Sequence, residues 1–542
     1  MPKGGGIRRI TTLMMIRLSK ACLEQKRGGE RLIGGEPVNK IIDATDINPW
    51  INRSLSEELV YWRGYNRGIL LHGPRQAGKT LLLKAFGQEN FKKTVYLDLA
   101  DEESRIRFES LSKAKFAEHG YPSNNGDFII DTLNEMRKDM VDSPDTLLIV
   151  DEIQESPYVY GKIRYFVRCL KCKVAFTGSY LGDFIFKSDV RESAGDLVRL
   201  DLETVSYLEF LKNRSFYEEY KTVDVFDSQA FRSQRGSELK TALRRGFYDY
   251  CQMGGYPEVI SSYLHGAPME KCINIRNLIV KDFYDECNKK IEKLPELKDW
   301  DEILGRIAYA VVNDKEWTKV LESENQPFPF KGISGRSAEE IDRIVKWFTV
   351  TKMIDHSFIT TTPFVRSLTS PYVKLFFTDL GFLQHVISKT PGLVLESDAK
   401  GFMAENFAFL ALRNLKHLFR DQEVWKYDSK GLNGIYEEAD FIKFVSPVNK
   451  RLLIEVKNKR GSTPRSDKVL ARGEADYIVK FMDADAKLGE TSAVIPFFAI
   501  DRLQVIVEML EAGKIGAKTR RMEFFNSKYE EPEAGKQVRN PK

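Results

Sequence analysis

The sequence predicts an α/β protein: a mostly parallel sheet covered by helices on both faces, then a helical middle and a smaller C-terminal α/β unit. Three observations carry this reading. An apolar run from Gly68 enters Gly73-Pro74-Arg75-Gln76-Ala77-Gly78-Lys79-Thr80, a glycine loop that opens a helix. The short apolar runs Val95-Tyr96-Leu97, Leu147-Leu148-Ile149-Val150 and Val174-Ala175-Phe176 each stop before a polar residue and alternate with helical stretches, as buried parallel strands do. From Gly401 the order helix, strand, strand, helix, strand follows on a smaller scale.

The strand from Gly68 is followed by a helix over Thr80 to Phe86, with Leu81, Leu82, Leu83 and Phe86 expected against the sheet. The loop between them matches the phosphate-binding pattern in the position its mechanism requires. Its glycines let backbone N–H groups curl around phosphates, and the helix N-terminus adds positive potential. Gly73, Pro74, Arg75, Gln76, Ala77, Gly78, Lys79 and Thr80 are thus candidate nucleotide contacts, with Lys79 reaching the β/γ oxygens and Thr80 ligating Mg²⁺. Asp151 and Glu152 close the second apolar run. Such a strand delivers Asp151 beside the metal and leaves Glu152 to polarise the attacking water. At the end of the third run, Ser179 is either a γ-phosphate contact or the hydroxyl of a local turn.

Between about 203 and 310 the pattern is helical, broken at Gly254-Gly255-Tyr256-Pro257. Ser337 to Phe348 reads as a capped helix with Ser337 and Glu340 in reciprocal positions and Ile341, Ile344, Val345 and Phe348 on one face. The last unit is expected as helix Phe402 to Leu415, strand Ala439 to Phe444, strand Arg451 to Val456, helix about Asp467 to Phe481 and strand Val494 to Ile500. Glycine-rich, basic residues before about 40 and the charged tail after about Gly513 are expected to be flexible.

Composition sets limits. With 542 residues, several domains are expected. The net charge of +5 is the small difference between 83 basic and 78 acidic residues, so any polyanion site has to be local. Six scattered cysteines are no disulfide framework, and Cys169 and Cys172 lack a second ligand pair at zinc-finger distance. No apolar run approaches the 18 residues of a membrane span, which fits a soluble, cytoplasmic protein without a membrane partner.

The set Gly73-Pro74-Arg75-Gln76, Asp151-Glu152-Ile153-Gln154, Thr177-Gly178-Ser179 and Gly254-Gly255-Tyr256-Pro257-Glu258 resembles a large prokaryotic family of AAA-type ATPases with a C-terminal PD-(D/E)XK nuclease-like domain. The resemblance runs from about 50 to about 505. It implies ATP as ligand, a winged-helix-like segment after the ATPase core, and a C-terminal restriction-endonuclease-like α/β domain. The corresponding divisions are a lead-in (1–45), a P-loop AAA-type core (46–210), a helical segment (211–300), a winged-helix-like segment (301–370), a connector (371–400), the nuclease-like domain (401–510) and a tail (511–542). One departure stands out. The family pattern has Gly-Arg ahead of the Tyr207-Leu208-Glu209-Phe210 segment, where this chain reads Gly195-Asp196; Arg191 or Arg199 is either the substitute for that charge or an ordinary surface arginine.

The resemblance also orders the C-terminal residues. Glu455-Val456-Lys457 closes an apolar strand, Asp440 lies on the strand that pairs with it, and Glu405 lies on the preceding helix. In that fold Glu405, Asp440 and Glu455 hold divalent metal and Lys457 acts catalytically on a phosphate; Glu438 is the alternative to Asp440. Arg336, Arg343 and Lys346 are candidate phosphate contacts on the capped helix. The implied protein is an ATPase coupled to a nuclease-like domain on DNA. The alternative is a nucleotide-dependent switch or scaffold whose C-terminal domain cuts nothing and binds a partner. A homo-oligomer fits either.

Overall fold

The computed structural model describes residues 51–119, 127–137, 140–178, 195–291, 298–312, 338–360, 373–390, 399–419, 425–430, 436–445, 448–457 and 464–516. The expected lead-in (1–45) lies outside them, as does the tail beyond residue 516.

The N-terminal sheet comprises β1 (Gly68–His72), β2 (Lys93–Asp98), β3 (Thr146–Asp151), β4 (Lys173–Thr177) and β5 (Leu197–Asp201) in the order β2-β3-β4-β1-β5, all parallel. Because side chains alternate along a strand, the apolar runs supply both faces. Ile69, Leu71, Leu147 and Ile149 pack with α1 (Leu55–Arg63) and α2 (Lys79–Asn90). Leu70, Leu148, Val150 and Phe176 pack on the other face with Phe108, Phe128 and Phe166 of α3 (Glu102–His119), α4 (Asp127–Met136) and α5 (Ile163–Cys169). Helix α2 buries Leu82, Leu83 and Phe86 as expected, but Leu81 is turned out and 52% exposed. Three consecutive leucines cannot all fall on one face at 3.6 residues per turn.

The middle contains α6 (Tyr207–Lys212), α7 (Gln234–Met253), α8 (Pro257–Leu264), α9 (Met269–Ile291), α10 (Trp300–Val312) and α11 (Ala338–Val350). Helix α11 buries Ile344, Trp347 and Phe348 and leaves Arg343 and Lys346 exposed. Ser337 and Arg336 lie outside the described residues. Two strands follow, β6 (Ile354–Thr360) and β7 (Val373–Phe377), and then α12 (Leu380–Lys389) and α13 (Ala399–Asn414).

The second sheet uses β8 (Trp425–Lys430), β9 (Tyr436–Val445), β10 (Lys450–Lys457), β11 (Tyr477–Met482), β12 (Lys487–Leu488) and β13 (Ser492–Pro496), with α14 (Pro464–Ala471) between β10 and β11 and α15 (Leu503–Glu511) at the end. Its order, β12-β13-β11-β10-β9-β8-β6-β7, takes in the β6/β7 pair. β8 pairs antiparallel with β9, β9 antiparallel with β10, and β10 parallel with β11. The structure corrects the sequence in two places. Helix α14 ends at Ala471 and Tyr477–Met482 is a buried strand rather than the rest of a helix. Gly473, at φ +71°, breaks the helix, and the β-branched and aromatic run after it suits a buried strand. The final strand is Ser492–Pro496, and Phe497–Arg502 is a tight helical turn.

The core does not stop at the expected divisions. Phe247 of α7 stacks on Phe497 at 5.5 Å and meets Phe407 of α13 edge-on at 4.8 Å, while Tyr207 of α6 meets Phe407 at 5.2 Å. Pairs of this kind add about 0.5–1.5 kcal/mol each beyond their buried area. The middle helices are therefore the wall that joins the two sheets.

Candidate functional site

β1 delivers the glycine loop at its C-terminal end, and three residues give it its curl. Gln76 (φ +59°) and Gly78 (φ +89°) are left-handed, and a Cβ at Gly73 would lie 1.9 Å from the carbonyl oxygen of Leu202. Such alternation turns successive N–H groups inward as an anion-binding concavity. The Lys79 ammonium, 6% exposed, donates to the carbonyl oxygens of Gly73 at 3.0 Å and Pro74 at 2.9 Å. Burial lowers its pKa to about 8, against the opposing pull of Glu152 and Asp151.

β4 stands between β1 and β3, so Asp151 at the end of β3 reaches α2 from two strands away. Its carboxylate accepts from the Thr80 hydroxyl at 2.6 Å, the Tyr96 hydroxyl at 2.8 Å and the Glu152 N–H at 2.9 Å. Burial raises the Asp151 pKa, and the Thr80 and Tyr96 hydrogen bonds act in the opposite direction. Glu152 has left-handed backbone (φ +49°, ψ +48°), which is costly for a side-chain-bearing residue and turns the chain off the strand. The Gln154 amide donates to the Glu152 carboxylate, and its own oxygen would lie 2.1 Å from a Cβ at Gly178. Ser179 and Arg191 lie outside the described residues. Asp196 is held by Arg168 through bonds of 2.9 and 3.0 Å, and Arg199 is exposed on β5.

Sequence reasoning gave no site role to Arg53 or Tyr96, and named Gln154 only within the Asp151-Glu152-Ile153-Gln154 motif. Arg53 donates to Ala77 O of the glycine loop at 3.0 Å, to Glu203 O at 2.5 Å and to the Glu209 carboxylate at 3.3 Å. Glu209 also forms a capping box with Ser206, and that half of the arrangement has a sequence signature. The Gly254-Gly255-Tyr256-Pro257 turn closes the other side. Gly255 donates to Asp379 at 2.7 Å and accepts from Val205 N–H at 2.7 Å, and Pro257 would be 3.7 Å from a Cβ at Gly78.

In the C-terminal sheet the regular pairing of β9 and β10 ends at Phe441 opposite Ile454. One step further the ladder gives way to a bond from Val456 N–H to the Asp440 carboxylate at 2.6 Å. Glu455, buried, ion-pairs with Lys457 at 2.8 Å and accepts from Ser466 of α14. Adjacent strands thus bring Asp440, Glu455 and Lys457 to one place. Glu405 of α13 is paired with the buried Lys374 of β7. Among the described residues no group of three or more His, Cys, Asp or Glu stands at metal-ligating distance. Nor, among them, is any helix long and apolar enough to cross a membrane.

A five-stranded parallel sheet with a glycine loop after one strand, and a carboxylate two strands away bonded to the loop's threonine, has the arrangement of a P-loop nucleotide-binding domain. Residues 65–211 match the AAA domain family, which places the family signature on this sheet. Among solved structures the chain is similar to a Walker-type ATPase of Pyrococcus abyssi (14% identity, TM-score 0.37, covering 62% of this chain and 96% of that one). It is also similar to the ORC2 protein of Aeropyrum pernix with ADPNP and ADP (13%, 0.30, 58% and 89%) and to the ORC1 protein of Aeropyrum pernix in complex with DNA (13%, 0.24, 64% and 95%). No curated protein matches the chain significantly. The class rests on the matched segment, the strand order and the contact between Thr80 and Asp151.

Proposed function

We propose that the chain hydrolyses ATP with Mg²⁺ held at Thr80 and Asp151, and that nucleotide state governs how its C-terminal unit acts on DNA. The observation that carries hydrolysis is the 2.6 Å bond between Thr80 and Asp151 with Glu152 next in sequence. The donor set, one hydroxyl and one carboxylate, fits a hard divalent cation, which Thr80 and Asp151 would hold beside the phosphates. When bound, Mg²⁺ neutralises phosphate charge. The remaining work falls to the chain. Lys79 exchanges the carbonyls of Gly73 and Pro74 for phosphate oxygens, the loop N–H groups hold the phosphates in place, and Glu152 accepts the proton of the attacking water. Gln154, already bonded to Glu152, orients it. Measuring ATP turnover with and without duplex and single-stranded DNA tests the reading, and a protein that neither binds nor hydrolyses ATP overturns it.

The C-terminal order of α13, β8, β9, β10, α14 and β11, with Asp440, Glu455 and Lys457 at one place, supports a nuclease-like unit. The pairing of Glu405 with Lys374 favours the second reading, in which this unit binds and cuts nothing. The two predict different results. In the nuclease reading, wild type shows Mg²⁺- or Mn²⁺-dependent cleavage that Lys457→Ala loses while keeping its divalent-ion rise in melting temperature. In the switch reading, neither cleavage nor that rise occurs on duplex, single-stranded or RNA substrates.

The exposed basic residues of α11 support a DNA-facing surface. Replacing Arg336, Arg343 and Lys346 with alanine is expected to weaken binding for all sequences alike, flattening its log–log salt dependence by about one unit for each phosphate no longer engaged. An unchanged slope would make α11 a packing element.

A further inference from the structure

Tyr96 reaches Asp151 from the neighbouring strand. In the register of β2 and β3, Tyr96 lies opposite Ile149 and Asp98 opposite Asp151, so Tyr96 and Asp151 stand on one face of the sheet, two residues apart along the strands. At the rise of a strand that is about 6.6 Å, beyond a serine or threonine hydroxyl and within reach of a phenol. The half-buried ring is held by the Lys84 ammonium, 3.8 Å from its centroid. Lys84 follows Thr80 by four residues on α2, so one face of that helix carries both the hydroxyl that bonds Asp151 and the cation that holds Tyr96.

The donors to Asp151 divide unevenly between its two oxygens. Thr80 at 2.6 Å and Tyr96 at 2.8 Å both donate to Oδ2, and the Glu152 N–H donates to Oδ1 at 2.9 Å. A threonine hydroxyl has one proton and two lone pairs, so with its proton committed to Oδ2 its lone pairs are what it offers a cation. The direction of those lone pairs then depends on where Oδ2 is kept. The Glu152 N–H belongs to the next residue of the same chain segment, and Thr80 is itself a candidate ligand. Tyr96 is the donor that references the carboxylate to an independent strand.

We propose that Tyr96 is a positioning residue for the divalent cation: it fixes the plane of the Asp151 carboxylate, and through Oδ2 the orientation of Thr80, without touching metal or nucleotide. The proposal rests on the ATPase reading and adds a residue to its metal site. Loss of the phenol hydroxyl should therefore weaken the divalent ion and leave the phosphate contacts of the glycine loop as they are.

The test is Tyr96→Phe in full-length protein, which keeps the ring beside Lys84 and removes the hydroxyl alone. Mg²⁺ is titrated by calorimetry into the ATP complex of a Glu152→Gln background, where turnover is avoided, and Mn²⁺ uptake is followed by electron paramagnetic resonance. Both ions should bind about tenfold more weakly, the lower end of what losing the partner of a metal ligand costs, with ATP affinity in EDTA changed less than about twofold. In an Asp151→Ala background the same substitution should add less than about twofold, because the group Tyr96 acts through is gone. Unchanged Mg²⁺ affinity in Tyr96→Phe, while Asp151→Ala loses it, overturns the proposal and leaves the ATPase reading standing. Equal weakening of ATP with and without divalent ion, or a full further loss in the Asp151→Ala background, also overturns it and makes Tyr96 a structural residue. If Lys79→Ala binds ATP like wild type, the ATPase reading fails and the proposal with it.

Discussion

Glu152→Gln is expected to bind ATP with unchanged affinity and to hydrolyse it at least about 100-fold more slowly, the loss typical of removing a general base. Glutamine keeps the shape, the left-handed turn and a partner for the Gln154 amide, and removes only the capacity to take a proton. Lys79→Ala should differ in kind. Its ammonium is held by two loop carbonyls and sits against Asp151 and Glu152, so its loss removes the charge that meets the phosphates and should abolish binding. No core packing depends on it, and circular dichroism should remain that of the parent. Nucleotide binding by fluorescence and single-turnover hydrolysis separate the two variants. A Glu152→Gln protein with wild-type turnover would remove Glu152 from the chemistry.

The parts of this site that are legible in the sequence are those whose partners lie close along the chain or whose chemistry fixes their type. The glycine loop needs its left-handed positions within six residues of Lys79, and the buried strand Thr146–Asp151 ends where its apolar run ends. The capping box at Ser206 and Glu209 is equally local. Arg53 is different. It meets Ala77, Glu203 and Glu209 at separations of 24 to 156 residues, and nothing around an isolated arginine near the start of the fold announces such partners.

The C-terminal sheet shows where periodicity fails. Tyr477–Met482 is buried apart from the half-buried Lys480, and so short and nearly apolar a run carries no period to tell strand from helix. The order around Glu455 is readable because β9, β10 and the following helix are sequential. The addition of β6 and β7 to the same sheet is not, since β6 pairs with β8 from far along the chain and the segment between them includes β7 and two helices. Glu405 illustrates the limit most sharply. Its place on the helix before the strands is as expected, but its partner Lys374 comes from β7, in a segment the sequence presents as a connector.

Arg413→Ala is expected to destabilise the protein by about 3 kcal/mol, toward the lower end of what breaking a buried ion pair costs. Arg413 projects from α13 and pairs with Glu203, just past β5, and with Asp355 of β6; its side chain is 18% exposed and those of its partners 25% and 19%. Removing it strands two partly buried carboxylates. Asp355 supplies an independent readout. Burial alone would raise its pKa, yet the His356 hydrogen bond and the Arg413 guanidinium overcome this and hold it at about 2. An ordinary aspartate titrates at about 3.9 in the unfolded chain, so the folded value is depressed. Its stabilising contribution is complete above that unfolded value and is lost as the pH falls toward about 2. Without Arg413 the depression shrinks. The stability difference between wild type and variant, read from urea unfolding, should therefore be largest at neutral pH and narrow as the pH is lowered from about 4 toward about 2. Arg413 also ties the segment just past β5 to β6. A variant as stable as wild type at neutral pH, with an unchanged acid limb, would show that the two carboxylates are satisfied without it.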